Sequence, residues 1–336
     1  MIADTGAAQQ IAARALASYD VAGEPTLTFV KYRENYVFQV DEEAGSYALR
    51  LHRHGYRSDS ALLEELDLIT ALDTAGVAVP RVRPTADGAP FCLVADDDGD
   101  VHQVDLLGWI PDAVPLGDAG EVFLGEAAVE PATFHALGVL MADLHTTAAR
   151  LRPDRVSARA AWDAEGLVGD RAVWGDPRRA FNDGAPGQDV VDEAITVLCA
   201  ELNAYGRAPE RYGPIHADFT PDNVLVHDGG RLTVIDFDDS GDGYYLFDLA
   251  TAAFFYLPHP RIDDIVGALL AGYQSVRPLT RDDLAIWRPM LLARGLTYLG
   301  WAADRRGDET SAFILEHLRP MVVDLAAQFI TSTVLP

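Results

Sequence analysis

Ile215-His216-Ala217-Asp218-Phe219-Thr220-Pro221-Asp222-Asn223-Val224-Leu225-Val226 is followed, after a short turn, by Val234-Ile235-Asp236-Phe237. Asp218 and Asn223 stand five positions apart, and Asp236 closes an apolar strand. Phosphoryl transfer asks little of a protein. It needs a carboxylate to take the proton of an attacking hydroxyl, oxygen donors for a divalent cation, and rigid placement of both. Asp218 fits the first role. Asn223 offers a neutral amide oxygen and Asp236 a charged carboxylate, the hard donors that Mg²⁺ prefers. Val224–Val226 and Leu232–Ile235 read as the two arms of a hairpin turning at His227-Asp228-Gly229-Gly230, with Asn223 and Asp236 at its ends. His216, two positions before Asp218, is expected to brace the loop through backbone hydrogen bonds. Asp248, in Phe247-Asp248-Leu249-Ala250, begins an apolar helix and is expected to cap it or to accept N–H groups of the same loop.

Working outward, the N-terminal third reads as strands. Residues 7–19 suggest a short helix. Leu27–Tyr32, Asn35–Val40 and Ser46–His52 follow as strands, the last two alternating about the acidic turn Asp41–Gly45. Alternation puts Tyr47, Leu49 and Leu51 on one face and Ala48, Arg50 and His52 on the other. Ser58–Thr74 carries Leu62, Leu63, Leu66, Ile69 and Leu72 at amphipathic helical spacing, with Ser60 or Asp59 as candidate caps. Phe91–Ala95 and Val101–Leu106 complete an expected five-stranded sheet with one inserted helix. Arg50 is the candidate for the α- and β-phosphates, since Ala48 and Arg50 share a face as in the V-A-I-K strand of kinases, with arginine replacing lysine. Its expected acidic partner is Glu65, with Glu64 the rotated alternative.

The chain has 336 residues, 49% of them hydrophobic, and a mean hydropathy of +0.02. That suffices for two packed domains. The boundaries expected are 1–108 for a nucleotide-covering lobe, 109–113 for a hinge at Trp109-Ile110-Pro111, and 114–336 for a mainly helical lobe. Within the latter, helices are expected at 134–145, Val190–Tyr205, Asp263–Ser275, Leu284–Arg305 and Ser311–Thr331. Residues 112–132 read as surface loop, and 150–190 as an irregular segment suited either to a lid or substrate-shaping insertion or to a disordered surface loop. The net charge of −26 argues against a nucleic-acid partner, because phosphate contacts need basic surface. It is compatible with a cationic substrate, but solubility or a high-salt or GC-rich host accounts for it more simply, and a compositional cause is supported by Lys31 being the single lysine among 26 basic residues. No apolar run approaches the roughly 20 residues of a membrane span, and Met1-Ile2-Ala3-Asp4 begins no signal peptide. Cys92 and Cys199, each in an apolar segment, read as reduced core residues, so a cytoplasmic location is expected.

His216-Ala-Asp218 through Val226, Val234-Ile-Asp236 through Asp248-Leu-Ala, the strand Tyr47–Arg53 and the helix end Leu137–His145 together resemble the aminoglycoside phosphotransferase and choline kinase family. The residues after Asp236 look most like its homoserine kinase-like and hydroxylysine kinase-like members. The resemblance covers roughly residues 25–255. It implies an α+β, bilobal protein-kinase-like fold with a small antiparallel sheet lobe carrying one helix and a larger helical lobe. It also implies ATP as co-substrate with Mg²⁺, a small-molecule alcohol as acceptor, and Arg50, Glu65, Ala48, Trp109 and Ile110 at the nucleotide. Two positions depart from the pattern: arginine stands for lysine, and Tyr32-Arg33-Glu34-Asn35-Tyr36 replaces a glycine-rich loop. Asp222, Asp238, Asp239 and Asp242 motivate an amine-bearing acceptor. A protein serine/threonine kinase of the same fold and a nucleotide-binding regulator without transfer activity are the alternatives. A metal-dependent phosphoester hydrolase reusing His216, Asp218 and Asp236 lacks the further His and Asp ligands such a site needs.

Overall fold

The computed structural model describes residues 5–32, 34–125, 129–151 and 157–334. Residues 1–4, Arg33 of the first expected turn, 126–128 of the expected loop and 152–156 of the irregular segment lie outside the described residues. The chain forms two compact units. One comprises Met1–Val114 and Leu225–Asp238, the other Pro115–Val224 and Asp239–Pro336.

The first unit is an antiparallel sheet of strands β1 (Thr26–Tyr32), β2 (Asn35–Glu42), β3 (Gly45–His52), β4 (Val82–Arg83), β5 (Cys92–Ala95) and β6 (Val101–Gly108), with helices α1 (Thr5–Ala15) and α2 (Asp59–Thr74). The order is β1-β2-β3-β6-β4, and β5 pairs with β6. There are thus six strands where five were expected. The addition, β4, is two residues long between Pro80 and Pro84, too short to show alternation in sequence. Side chains alternate as the pleat requires. Phe38 and Val40, Leu49 and Leu51, and Val104 and Leu106 form one apolar cluster with Ala8, Ile11, Ala12 and Ala15 of α1. Each fully buried Val, Leu, Ile or Phe side chain there contributes roughly 1.5–3 kcal/mol. The intervening residues Arg50 and His52 of β3 and Asp105 of β6 therefore face away from α1. Ser58, rather than Ser60 or Asp59, caps α2, accepting from Ala61 N at 3.2 Å, because Asp59 is turned to Gln103 at 2.6 Å.

The chain leaves this unit at the two-residue strand β7 (Val114–Pro115). It returns for β9 (Val224–His227) and β10 (Arg231–Val234), whose turn uses positive φ at Asp228, Gly229 and Gly230.

The second unit is mainly helical. Its helices are α3 (Ala119–Phe123), α4 (Pro131–Leu151), α5 (Ala164–Val168), α6 (Gln188–Tyr205), α7 (Tyr245–Phe254), α8 (Ile262–Val276), α9 (Arg281–Ala285), α10 (Trp287–Asp304), α11 (Glu309–Phe313) and α12 (Arg319–Val334). Strands β8 (Tyr212–Ile215) and β11 (Gly241–Tyr244) pair antiparallel beside them. Two expected helices are divided. A capping box between Thr280 and Asp283 starts α9, and α10 begins anew after Ile286 with Pro289 in its first turn, where a missing N–H costs nothing. A wide turn at Ile314–Leu318 separates α11 from α12. Helices α4 and α8 touch backbone to backbone: a Cβ on Gly138 would lie 2.1 Å from Leu269 O, and one on Gly272 2.0 Å from His135 O. Among the described residues of 150–190, Trp162 is buried and stacks on Phe247 at 5.7 Å, so this segment is packed structure, not a bare surface loop. Among the described residues no helix is long and apolar enough to cross a membrane.

Candidate active site

The loop that leaves β8 owes its shape to Asp248, buried at the start of α7. Its Oδ2 accepts from His216 N at 2.9 Å and its Oδ1 from Ala217 N at 2.7 Å. The same Oδ2 receives His145 Nε2 at 2.9 Å, and His145 Nδ1 meets the Tyr273 hydroxyl at 3.0 Å. Burial pushes the His145 pKa below its ordinary value, and its hydrogen bond to Asp248 offsets only part of this. His145 is thus the neutral imidazole, donating to Asp248 and accepting from Tyr273. His216 is buried, and its Nδ1 accepts from Asp218 N at 3.2 Å. Ala217 sits between them at φ 68°, a region a non-glycine residue occupies only when its surroundings compel it.

This bracing presents the Asp218 side chain, 22% exposed, to solvent. Asn223, five residues on in the short turn Pro221–Asn223, donates Nδ2 to Asp218 Oδ2 at 2.8 Å and to Asp218 O at 3.0 Å. The Asn223 amide is oriented by this pair of bonds, which leaves Oδ1 as its atom for a cation.

The other carboxylate oxygen of Asp218 is taken by a residue to which sequence reading gave no role. Arg294 of α10, fully buried, donates Nη2 to Asp218 Oδ1 at 2.7 Å and Nη1 to Ala217 O at 3.1 Å. Its Nη2 also reaches the Tyr298 hydroxyl. The guanidinium lies over the rings of Tyr298 at 4.0 Å, Trp174 at 4.5 Å and Phe247 at 5.5 Å. Burial opposes its charge, but Tyr298 and Asp218 more than compensate and raise its pKa. Trp174 in turn donates its indole N–H to Asp239 Oδ1 at 3.1 Å, and Trp162 donates to Asp239 O at 2.8 Å. Asp239 and Asp218 are therefore joined through two side chains, Trp174 and Arg294. Asp242, in β11, lends its carbonyl to Tyr212 and to Trp162 N, and Asp222 lies half-buried in the 221–223 turn.

In the first unit Arg50 is buried and meets two carboxylates. Glu65, not Glu64, accepts from Nη1 at 2.8 Å. Asp105, which sequence reading did not single out, takes Nε at 2.9 Å and Nη2 at 3.0 Å in a side-on fork. His52 Nε2 lies 2.5 Å from Asp105 Oδ2. Burial would raise the Asp105 pKa, yet the Arg50 charge and the His52 hydrogen bond hold it below the usual carboxylate range. Asp236 is near enough to contribute to the raised pKa of Arg50. Asp236 has φ 67°, like Ala217 a non-glycine residue in the left-handed region. Asp238 is paired with Arg57 at 3.7 Å. Ala48 is half-buried on the Arg50 face, and Trp109 and Ile110 follow β6 with Trp109 N bonded to Ser46 O.

Asn223 and Asp236 carry oxygen donors suited to Mg²⁺. Among the described residues no group of three or more His, Cys, Asp or Glu could hold a metal ion.

A family model described as the phosphotransferase enzyme family matches residues 28–289. Homoserine kinase of Sinorhizobium fredii (strain NBRC 101917 / NGR234) is 29% identical over 290 residues, covering 83% of this chain and 78% of its own. Among solved structures, a microcompartment-associated aminopropanol kinase is 31% identical with a TM-score of 0.82, covering 98% of both chains. Amicoumacin kinase hAmiN, in complex with AMP-PNP, Ca²⁺ and Ami, aligns with a TM-score of 0.73 at 21% identity, over 94% of this chain and 93% of that one.

Proposed function

Because the chain belongs to the phosphotransferase enzyme family and has its kinase-like α+β fold, we propose that it moves the γ-phosphate of ATP to a hydroxyl of a small amine-bearing molecule. That it is an ATP-dependent phosphotransferase acting on a small molecule follows from the family. The finer reading concerns the acceptor and the residues.

Asp218 is the base. The acceptor hydroxyl gives its proton to the Asp218 carboxylate as its oxygen bonds to the γ-phosphorus. The bond from that phosphorus to the bridging oxygen breaks, and ADP leaves. Asn223 and Asp236 are the residues to hold Mg²⁺, which when bound neutralises charge on the phosphates. Arg50, kept in place by Glu65, faces the α- and β-phosphates, with Ala48, Trp109 and Ile110 also at the nucleotide. His216 and Asp248 shape the catalytic loop. The observation that carries the reading is the Asp218 carboxylate, held by Asn223 and Arg294 and still open to solvent.

The acceptor carries a cationic amine and is an aminoglycoside, an amino alcohol or a hydroxy amino acid. Support comes from the net charge of −26, from Asp239 oriented by Trp174, and from the acceptors named for the relatives. Asp222, Asp238 and Asp242 are the further acids in this reading. The enzyme acts in the cytoplasm, in keeping with the free thiols Cys92 and Cys199.

The test is ADP release with ATP–Mg²⁺ across aminopropanol, homoserine and aminoglycosides. A strong response to one amine-bearing alcohol, with phosphate on its hydroxyl, is expected. Nucleotide binding without release for any acceptor, or phosphate appearing on a protein, would reject the reading.

A further inference from the structure

Residues 50 and 105 form a matched pair: we propose that Asp105 is the positioning residue that suits the nucleotide site to arginine in place of lysine. The inference rests on the reading above in which Arg50 meets the nucleotide phosphates.

Arg50 and Asp105 are direct cross-strand partners in the β3–β6 register, so their relation is fixed by the sheet. The side-on fork uses the guanidinium edge formed by Nε and Nη2, at 2.9 and 3.0 Å. Glu65 takes one hydrogen of Nη1 at 2.8 Å. A guanidinium has five N–H donors in a rigid plane, so each terminal nitrogen keeps one hydrogen for a further acceptor. His52 fills the outer oxygen of Asp105 and stops that carboxylate from rotating. Both acids are fully buried, so neither can turn to water instead.

Lysine could not serve this site. Its ammonium is one point with three donors. Set between two buried carboxylates it would be drawn to Asp105, the one directly across the ladder, and away from a phosphate. Only with the charge at position 105 removed does an ammonium have Glu65 as its single fully buried carboxylate partner.

The experiment is a double-variant cycle on the full chain, read as the dissociation constant of ATP–Mg²⁺ by calorimetry. In the native background Arg50→Lys should weaken binding by about tenfold or more. In the Asp105→Asn background the same exchange should cost no more than about threefold, a coupling within the usual range for contacting residues. The acceptor KM should stay unchanged throughout. A pair with only a structural role would couple in Tm and not in nucleotide affinity. If Asp105→Asn does not fold, Asp105→Leu combined with His52→Leu provides the second background. An equal cost of Arg50→Lys in both backgrounds, including no cost in either, overturns the proposal. Failure of the native protein to bind ATP–Mg²⁺ at all would instead overturn the functional reading on which it rests.

Discussion

The guanidinium of Arg294 holds both the Asp218 carboxylate, at 2.7 Å, and the carbonyl of Ala217, at 3.1 Å. One buried side chain thus fixes the proposed base and the strained peptide that precedes it. Replacing Arg294 by Leu should lower kcat by roughly tenfold or more, since the base loses its orientation. Arg294→Lys should recover only part, because an ammonium cannot span two acceptors as a planar fork does. The stability lost in the Leu variant should be about 1–3 kcal/mol, the scale for an unmet bond to a charged group. Steady-state kinetics and a denaturant midpoint measure the two effects. A Leu variant with native kcat would show that Arg294 supports the fold alone.

Asp218→Ala should cut turnover by at least roughly 10²-fold, the usual contribution of a positioned base. ATP binding should be almost unchanged, since the proposed role of this carboxylate is toward the acceptor hydroxyl and not the nucleotide. Single-turnover rates beside calorimetric affinities separate these. Turnover close to the native level would remove Asp218 from the mechanism.

What could be read from the sequence was what is local. His216, Asp218 and Asn223 lie within one tight loop, so spacing alone brings them together. The choice of Glu65 for Arg50 followed from strand and helix periodicity. Arg294 is 76 positions from Asp218, and no spacing rule relates them. A signal was present all the same. Arginine in Leu291-Leu292-Ala293-Arg294-Gly295-Leu296 has no solvent face on which to sit, and a charge buried in an apolar helix must have a partner. Asp105, between Val104 and Leu106 on a central strand, carried the same signal. Trp174 carried none, because its segment has neither helical nor strand period. The cap of α2 was misplaced by one or two residues because Ser58, Asp59 and Ser60 are all competent caps, and the tertiary bond from Gln103 to Asp59 helps decide among them.

Asp236 couples backbone and chemistry at one residue. At φ 67° asparagine is tolerated better than alanine. Asp236→Asn should therefore keep near-native stability, whereas Asp236→Ala should lose on the order of 1 kcal/mol through strain. Both should weaken the Mg²⁺-dependent part of nucleotide binding, because both remove the charged oxygen. Thermal shifts with ATP, with and without Mg²⁺, report on this directly. An Asn variant that keeps the full metal-dependent shift would exclude Asp236 as a ligand.

Burial of His145 makes stability depend on pH with a definite sign. Burial holds the folded pKa of His145 below its ordinary value near 6.5. Between the two values the unfolded chain binds more protons than the folded one, so stability rises with pH there. The contribution is complete above the unfolded value and is lost as pH falls toward the folded one. The native Tm should accordingly decline from pH 7.5 to 5.5. His145→Gln can still donate to Asp248 but has no titrating ring. It should melt lower at every pH, from imperfect packing beneath Tyr273, yet lose less than the native chain across that interval. Every other group is the same in both proteins and cancels in the difference. Parallel Tm profiles would mean that His145 takes up its proton in the folded chain as readily as in water, contrary to a neutral ring buried between Asp248 and Tyr273.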